Sequence, residues 1–190
     1  MTDAEGLSAS SSVHVDVNFV LEIGRGWNHV SLPVDPVAAT MREVFADAPV
    51  LGRILQFAGF SFELAFEAKS ETGYWLYSTG ETAIEEPGTL ADNVIEVNRL
   101  WNAIGSATEV ASPSRFDSVV AVIRWDVQNQ RFRFVHPADT IKPGQGYWAY
   151  AREAAVLDLS GGGRAQFDGL DLIAWGESQG NTDELLSSFR

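Results

Sequence analysis

Along residues 13–23 the odd positions Val13, Val15, Val17, Phe19, Leu21 and Ile23 are apolar, and His14, Asp16, Asn18 and Glu22 alternate with them. A period of two belongs to a half-buried strand, with one face on a core and the other in water. "NVIEV" at 93–97 repeats the pattern in shorter form. The run "VVAVIRWDV" (119–127), then "QNQ", then "RFRFV" predicts a hairpin with Phe132 and Phe134 turned inward and Arg131 and Arg133 outward. A similar hairpin is predicted in "RILQFAGFSFELAF" (53–66), where Gly59 separates the two arms. After Asp35-Pro36 the period changes: Val37, Met41, Val44 and Phe45 share one helical face. Asp before Pro is a helix-start signal, the side chain capping free amides and the ring sitting where no N–H is needed. A helix beginning at Pro36 is expected, and "SPSRFDS" (112–118) predicts a single turn in the matching place.

That matching place exists because the chain repeats. Trp27-Asn28 recurs as Trp101-Asn102, 74 residues on, and Gly73-Tyr74-Trp75 recurs as Gly146-Tyr147-Trp148, 73 residues on. Two independent landmarks whose shifts agree to within one residue indicate a duplicated unit. The expected fold is mainly β (α+β by strict count): a module of about 74 residues present twice, with antiparallel sheets as a sandwich or barrel and one short helix per copy. Residues 1–12 read as a flexible N-terminus, 13–90 as the first copy, 91–160 as the second, and 161–190 as a Gly-rich linker with a final strand and an acidic tail. Trp175 lies 74 residues after Trp101, so the tail reads either as the stump of a third copy or as a last strand at 170–175 followed by an acidic helix or tail from Thr182.

The second copy's turn is the more explicit. In "DTIKPGQGYWAY" (139–150), Pro143-Gly144 suits the central positions of a type II turn, and Gly146 permits a second close bend before the strand. Trp148 and Tyr150 then share one face of that strand and Tyr147 takes the other. The Trp-Asn and Tyr-Trp strands are expected to pack their indoles together as the core of each copy. The competing expectation makes Trp75, Tyr77, Trp148 and Tyr150 a platform for sugar rings.

Taken together, "GWN.VSLPV", "GYWLY", "WN.IGS" and "DTIKPG.GYW" resemble the tandem Gly-Trp-Asn / Pro-Gly-x-Gly-Tyr-Trp modules of large bacterial secreted and cell-surface proteins, over residues 13–160. Leu100 stands where Gly usually precedes Trp, and no Pro-Gly precedes Gly73. The resemblance implies an extracellular or surface-attached accessory module and carries over no catalytic residue.

Composition narrows the chemistry. A net charge of −13 with 13 scattered basic residues argues against nucleic acid as a partner, which needs clustered Lys and Arg. Zero cysteines exclude disulfides and thiolate chemistry. The longest apolar runs are too short to span a bilayer, so no membrane insertion is expected, and the polar, acidic opening residues do not read as a secretory signal. His14, His29 and His136 are not at metal-ligand spacing; His14 reads as solvated, and His29 as able to orient Asp35. No nucleophile elbow, Walker loop or dinucleotide fingerprint occurs. A bound Ca²⁺ is the least implausible cofactor, with Asp158, Asp168 and Asp171 flanking the Gly-rich segment, although the ordered calcium-loop pattern is missing.

The leading expectation is a non-catalytic spacer, adhesion or assembly unit whose partner is a protein or glycan at a cell surface. The alternatives are a carbohydrate-binding module and an enzyme with an unrecognised pair of acids. Unpaired edge strands would give a route to self-association.

Overall fold

The computed structural model describes residues 16–159. The expectations for Trp175, the strand at 170–175, the tail from Thr182, and the ligand roles of Asp168 and Asp171 lie outside those residues.

The first copy comprises β1 (Asp16–Ile23), β2 (Gly26–Ser31), β3 (Val34–Pro36), α1 (Met41–Val44), β4 (Leu55–Phe57), β5 (Phe62–Leu64), β6 (Gly73–Ser78) and β7 (Thr82–Leu90). The second comprises β8 (Val94–Val97), β9 (Leu100–Ile104), β10 (Val110–Ala111), β11 (Val119–Asp126), β12 (Arg131–Phe134), β13 (Thr140–Ile141), β14 (Tyr147–Ala151) and β15 (Ala155–Asp158), with a 3-10 turn at Pro113–Arg115. The protein is mainly β, with antiparallel sheets and no closed barrel among the described residues.

Each copy holds a four-stranded sheet, in the order β2-β6-β4-β5 or β9-β14-β11-β12, and a smaller sheet, β1-β7-β3 or β8-β15. Strand alternation sends one face of each four-stranded sheet into its own copy's core. In the first copy Leu21, Ile23 and Ile84 of the small sheet meet Val30, Tyr74 and Leu76. In the second, Ile95, Val97 and Leu157 meet Val122, Tyr147 and Ala149. The alternation along β1 is as its pattern predicts, with Leu21 and Ile23 buried and Asn18 and Glu22 exposed.

The helix starts later than Asp35-Pro36 suggests. Asp35 and Pro36 belong to β3, paired with β7, and Val37 is 77% exposed. Thr40 caps α1 in a reciprocal box with Glu43, which satisfies two free amides at once and outcompetes the Pro signal, while Met41, Val44 and Phe45 are buried as expected. Ser112 caps the 3-10 turn of the second copy, again accepting from a backbone N–H. Of the two hairpin phenylalanines, Phe132 is half-buried against Trp75 and Trp125, but Phe134, at the end of the edge strand β12, is 49% exposed.

The two copies repeat their hydrogen bonds as well as their letters. Asn28 accepts from Gly24 N–H and donates to Gly24 and Gly26 carbonyls; Asn102 does the same with Asn98 and with the Asn98 and Leu100 carbonyls. The Asn thus clamps the turn into its own strand, which accounts for its place beside Trp. Tyr74 Oη accepts from Lys69 N–H at 3.0 Å, and Tyr147 Oη from Lys142 N–H at 2.9 Å.

A clasp of aromatic rings between the copies, and a cleft beside it

The second face of each four-stranded sheet meets the other copy. Val30 bridges Gln145, and Ile104 bridges Thr72; Ser31 N–H donates to Gly144 O at 3.1 Å, and Gly105 N–H to Glu71 O at 2.7 Å. Residues 30, 31, 144 and 145 correspond by repeat to 104, 105, 71 and 72, so the contacts form a pseudo-twofold pair.

Across that axis each copy covers the other's Gly-Tyr-Trp tryptophan. Phe57 and Phe62 of the first hairpin lie edge-on to Trp148, with centroids at 4.9 and 5.9 Å. Trp125 and Phe132 of the second hairpin do the same for Trp75, at 5.3 and 5.9 Å. Edge-to-face packing suits the positive ring edge and negative ring face. Trp148 is 1% exposed. The indoles therefore fill the space between the copies, and the tyrosines Tyr74 and Tyr147 take the place expected for them within each core.

His29 occupies the centre. It stacks on Trp75 (4.7 Å, 7°) and faces Trp148 (5.5 Å, 27°), and neither ring nitrogen has a hydrogen-bond partner among the described residues. Complete burial lowers its pKa to about 3, so the ring is neutral. It does not meet Asp35, whose carboxylate instead accepts from Ser70. A Cβ on Gly73 would lie 2.5 Å from His29 Nε2, and one on Gly146 2.7 Å from His29 Cδ2. Both motif glycines are thus clearances for this imidazole, while the turn itself is made by Gly144, at φ +81°. The second copy has Ala103 at the position of His29: the axis admits one ring.

The four residues expected as a platform do not share an open face. Trp148 is enclosed and Trp75 is covered by the second hairpin, while Tyr77 and Tyr150 stay half-exposed, each edge-on to the Trp of its own Trp-Asn pair: Tyr77 with Trp27 at 5.5 Å, Tyr150 with Trp101 at 5.2 Å. These two outer pairs have unequal surroundings. Between Phe57 and Phe62 the first hairpin has four residues (58–61); between Trp125 and Phe132 the second has six (126–131). One extra residue per arm lengthens the tip by about 3.3 Å. The longer tip reaches the turn before Trp27: Gln130 accepts from Trp27 N–H and donates to Trp27 O, Trp125 Nε1 donates to the same carbonyl, and Val127 lies where a Cβ on Gly24 would be.

A cleft of about 850 Å³ lies beside Trp101. Phe57, Phe60, Glu71, Glu96, Arg99 and half-buried Trp101 are among the residues that line it. Phe60 is 91% exposed. Glu71 is pushed up to about 7, first by desolvation and then by repulsion from Asp92 and Asp35, with a hydrogen bond from Asn93 N–H opposing. Two backbone anomalies border the cleft. Leu100 has φ +81° where its counterpart Gly26 has +95°, and Glu71 has φ +59° where its counterpart Gly144 has +81°. These are the two positions at which the sequence departs from the glycines of the repeat motif; the left-handed backbone is kept without them. Asp158, at the end of β15, is exposed, and among the described residues no three His, Asp or Glu side chains converge as a metal site.

No protein-family model, curated protein or solved structure matches this chain.

Proposed function

We propose that the chain is a non-catalytic accessory module of an extracellular or cell-surface protein, in which the duplicated unit serves as a rigid block for spacing, adhesion or assembly. The observation that carries this is the reciprocal cover of Trp75 and Trp148, each by the other copy's hairpin. Truncating a buried indole of this kind costs about 3–5 kcal/mol, so the contact is strong enough to join two small cores into one cooperative unit. Equilibrium unfolding of the full chain, followed by tryptophan fluorescence and far-UV circular dichroism, is expected to give one coincident transition. Two separated transitions, one per copy, would sink the rigid-block reading.

A second reading is a carbohydrate-binding module. It is favoured by the half-exposed indole of Trp101 in a cleft with polar groups of both charges. Titration of the intrinsic fluorescence with a panel of soluble glycans separates the two: emission that ignores every glycan supports a structural block, and a saturable shift supports binding.

A further inference from the structure

The first copy's hairpin ends in β5, an edge strand that pairs only with β4 among the described residues. Phe62 and Leu64 stand opposite Phe57 and Leu55, and the flanking backbone bonds run from Ala58 N–H to Ser61 O at 2.9 Å and from Ala65 N–H to Ile54 O at 3.0 Å. Hydrogen-bonded pairs alternate along an antiparallel ladder, so residues 61, 63 and 65 turn their backbone groups toward β4 and Phe62 and Leu64 turn theirs outward. The row closes at Phe66, whose carbonyl accepts from Met41 N–H at 3.0 Å. We infer that β5 is a self-association edge, through which two copies of the chain pair antiparallel about a twofold axis with Phe62 opposite Phe62. The two four-stranded sheets then continue as one, in the order β2-β6-β4-β5-β5-β4-β6-β2. The inference deepens the assembly reading and names the partner as a second copy of this chain.

Three observations point there. Phe60, Phe62, Leu64 and Phe66 form an apolar row of period two along this edge, and its three phenylalanines are exposed. Phe62 is also edge-on to Trp148, so a contact at β5 continues the packing that joins the two halves of the molecule. Second, the strand carries none of the usual protection. Its counterpart β12 has Arg131 and Arg133 on either side of Phe132, charges that discourage pairing, whereas Ser61 and Glu63 flank Phe62. Third, the edge complements itself in one register. Centring the twofold on Glu63 would face two carboxylates across the closest kind of pair, and centring it on Leu64 would call on the Phe66 carbonyl that Met41 already holds. Centring it on Phe62 sets Phe60 against Leu64 and Ser61 against Glu63. An isologous contact demands such a match between a surface and itself, and an unrelated strand does not.

The test is sedimentation of the full chain over roughly 1–300 μM, a range suited to a small interface, with the charge of −13 screened by added salt. Wild type is expected to pass from monomer to dimer within it. Leu64→Pro removes an outward N–H that the fold does not use, a place where an edge strand tolerates Pro, and Phe60→Lys puts a charge on an exposed position. Both are expected to weaken association at least tenfold with an unchanged circular dichroism spectrum; Phe60→Lys decides the matter if Leu64→Pro does not fold. Ser61→Lys places two Lys-Glu63 pairs across the axis and is expected to tighten the dimer roughly three- to tenfold. Association undiminished in Phe60→Lys and Leu64→Pro would put the contact elsewhere and overturn the edge, and no gain from Ser61→Lys would overturn the register. A chain that stays monomeric throughout would overturn the inference while leaving the rigid-block reading to its own unfolding test. Monomer together with Leu64-dependent binding of an alternating Val-Thr peptide would assign the edge to another protein's strand and overturn the second copy as its occupant.

Discussion

The imidazole of His29 lies flat on the indole of Trp75, 4.7 Å between centroids and 7° from parallel, with Trp148 on its other side. A titratable ring is thus placed where a proton would have neither water nor a hydrogen-bond partner. In the unfolded chain His29 titrates near 6.5; in the folded protein its pKa is about 3. Above pH 6.5 it is neutral in both states and costs nothing. Between pH 6.5 and 3 the unfolded state binds one more proton, so stability falls by about 1.4 kcal/mol per pH unit, some 4–5 kcal/mol in all. His29→Ala, which copies Ala103, is expected to be about 2–4 kcal/mol less stable at pH 7 through loss of packing. The gap between variant and wild type should close as pH falls from 6.5 toward 3. A gap that stays constant in urea titrations across that range would show that His29 does not titrate on unfolding.

Gly146 and His29 should be coupled. An added Cβ at Gly146 meets three imidazole atoms within 2.9 Å and nothing else as near. Gly146→Ala is expected to destabilise by about 2 kcal/mol or more in the wild type, through forced movement of a packed ring, and by much less in the His29→Ala background. A double-mutant cycle with a coupling energy above about 1 kcal/mol fits ring clearance; additive losses would mean that the glycine serves the backbone alone.

Leu100 gives a test of the motif's missing glycine. At φ +81° a Cβ is strained, whereas Gly is not. Leu100→Ala and Leu100→Gly both lose the side chain, so their difference reports the backbone. Gly is expected to be about 1 kcal/mol more stable than Ala at this position, the reverse of their usual order in a strand. Chemical denaturation of the pair decides it, and the usual order would remove the left-handed assignment.

Glu71 has the opposite pH sign to His29. Its pKa is raised to about 7 from an ordinary 4.5, so the folded state holds its proton more tightly than the unfolded state does. Stability is therefore fully present below pH 4.5 and lost as pH rises toward 7. Glu71→Gln, which is permanently neutral, is expected to be more stable than wild type at pH 8 by roughly 1–2 kcal/mol, after discounting for partial solvent exposure, and nearly equal to it at pH 4. Thermal melts at the two pH values check this; an equal effect at both would detach it from ionisation.

The strand periodicity of β1, the two hairpins, the type II turn at Pro143-Gly144 and the duplication were legible because each depends on residues close in sequence. Alternation is set by the pleat, and a turn by which residues tolerate its dihedral angles. The capping box at Thr40 and Glu43 was written in the sequence too, and the stronger-looking Asp35-Pro36 signal obscured it. The roles of the aromatics were not legible. Trp75 and Trp148 have the same neighbours in sequence as surface platform residues would, and their burial depends on hairpins from the other copy.

What the sequence determined by itself is the repeat unit: its strands, its turns and the Asn clamps, all fixed by contacts within a few residues. What only the tertiary structure decided is the use of the second sheet face. Packing across the pseudo-twofold buries Trp148, leaves room on the axis for one imidazole, and gives the glycines of Gly-Tyr-Trp their purpose. A difference of two residues in hairpin length, visible in the sequence but without meaning there, then lets the second hairpin hydrogen-bond to the Trp27 backbone, because reach matters only once there is something opposite to touch.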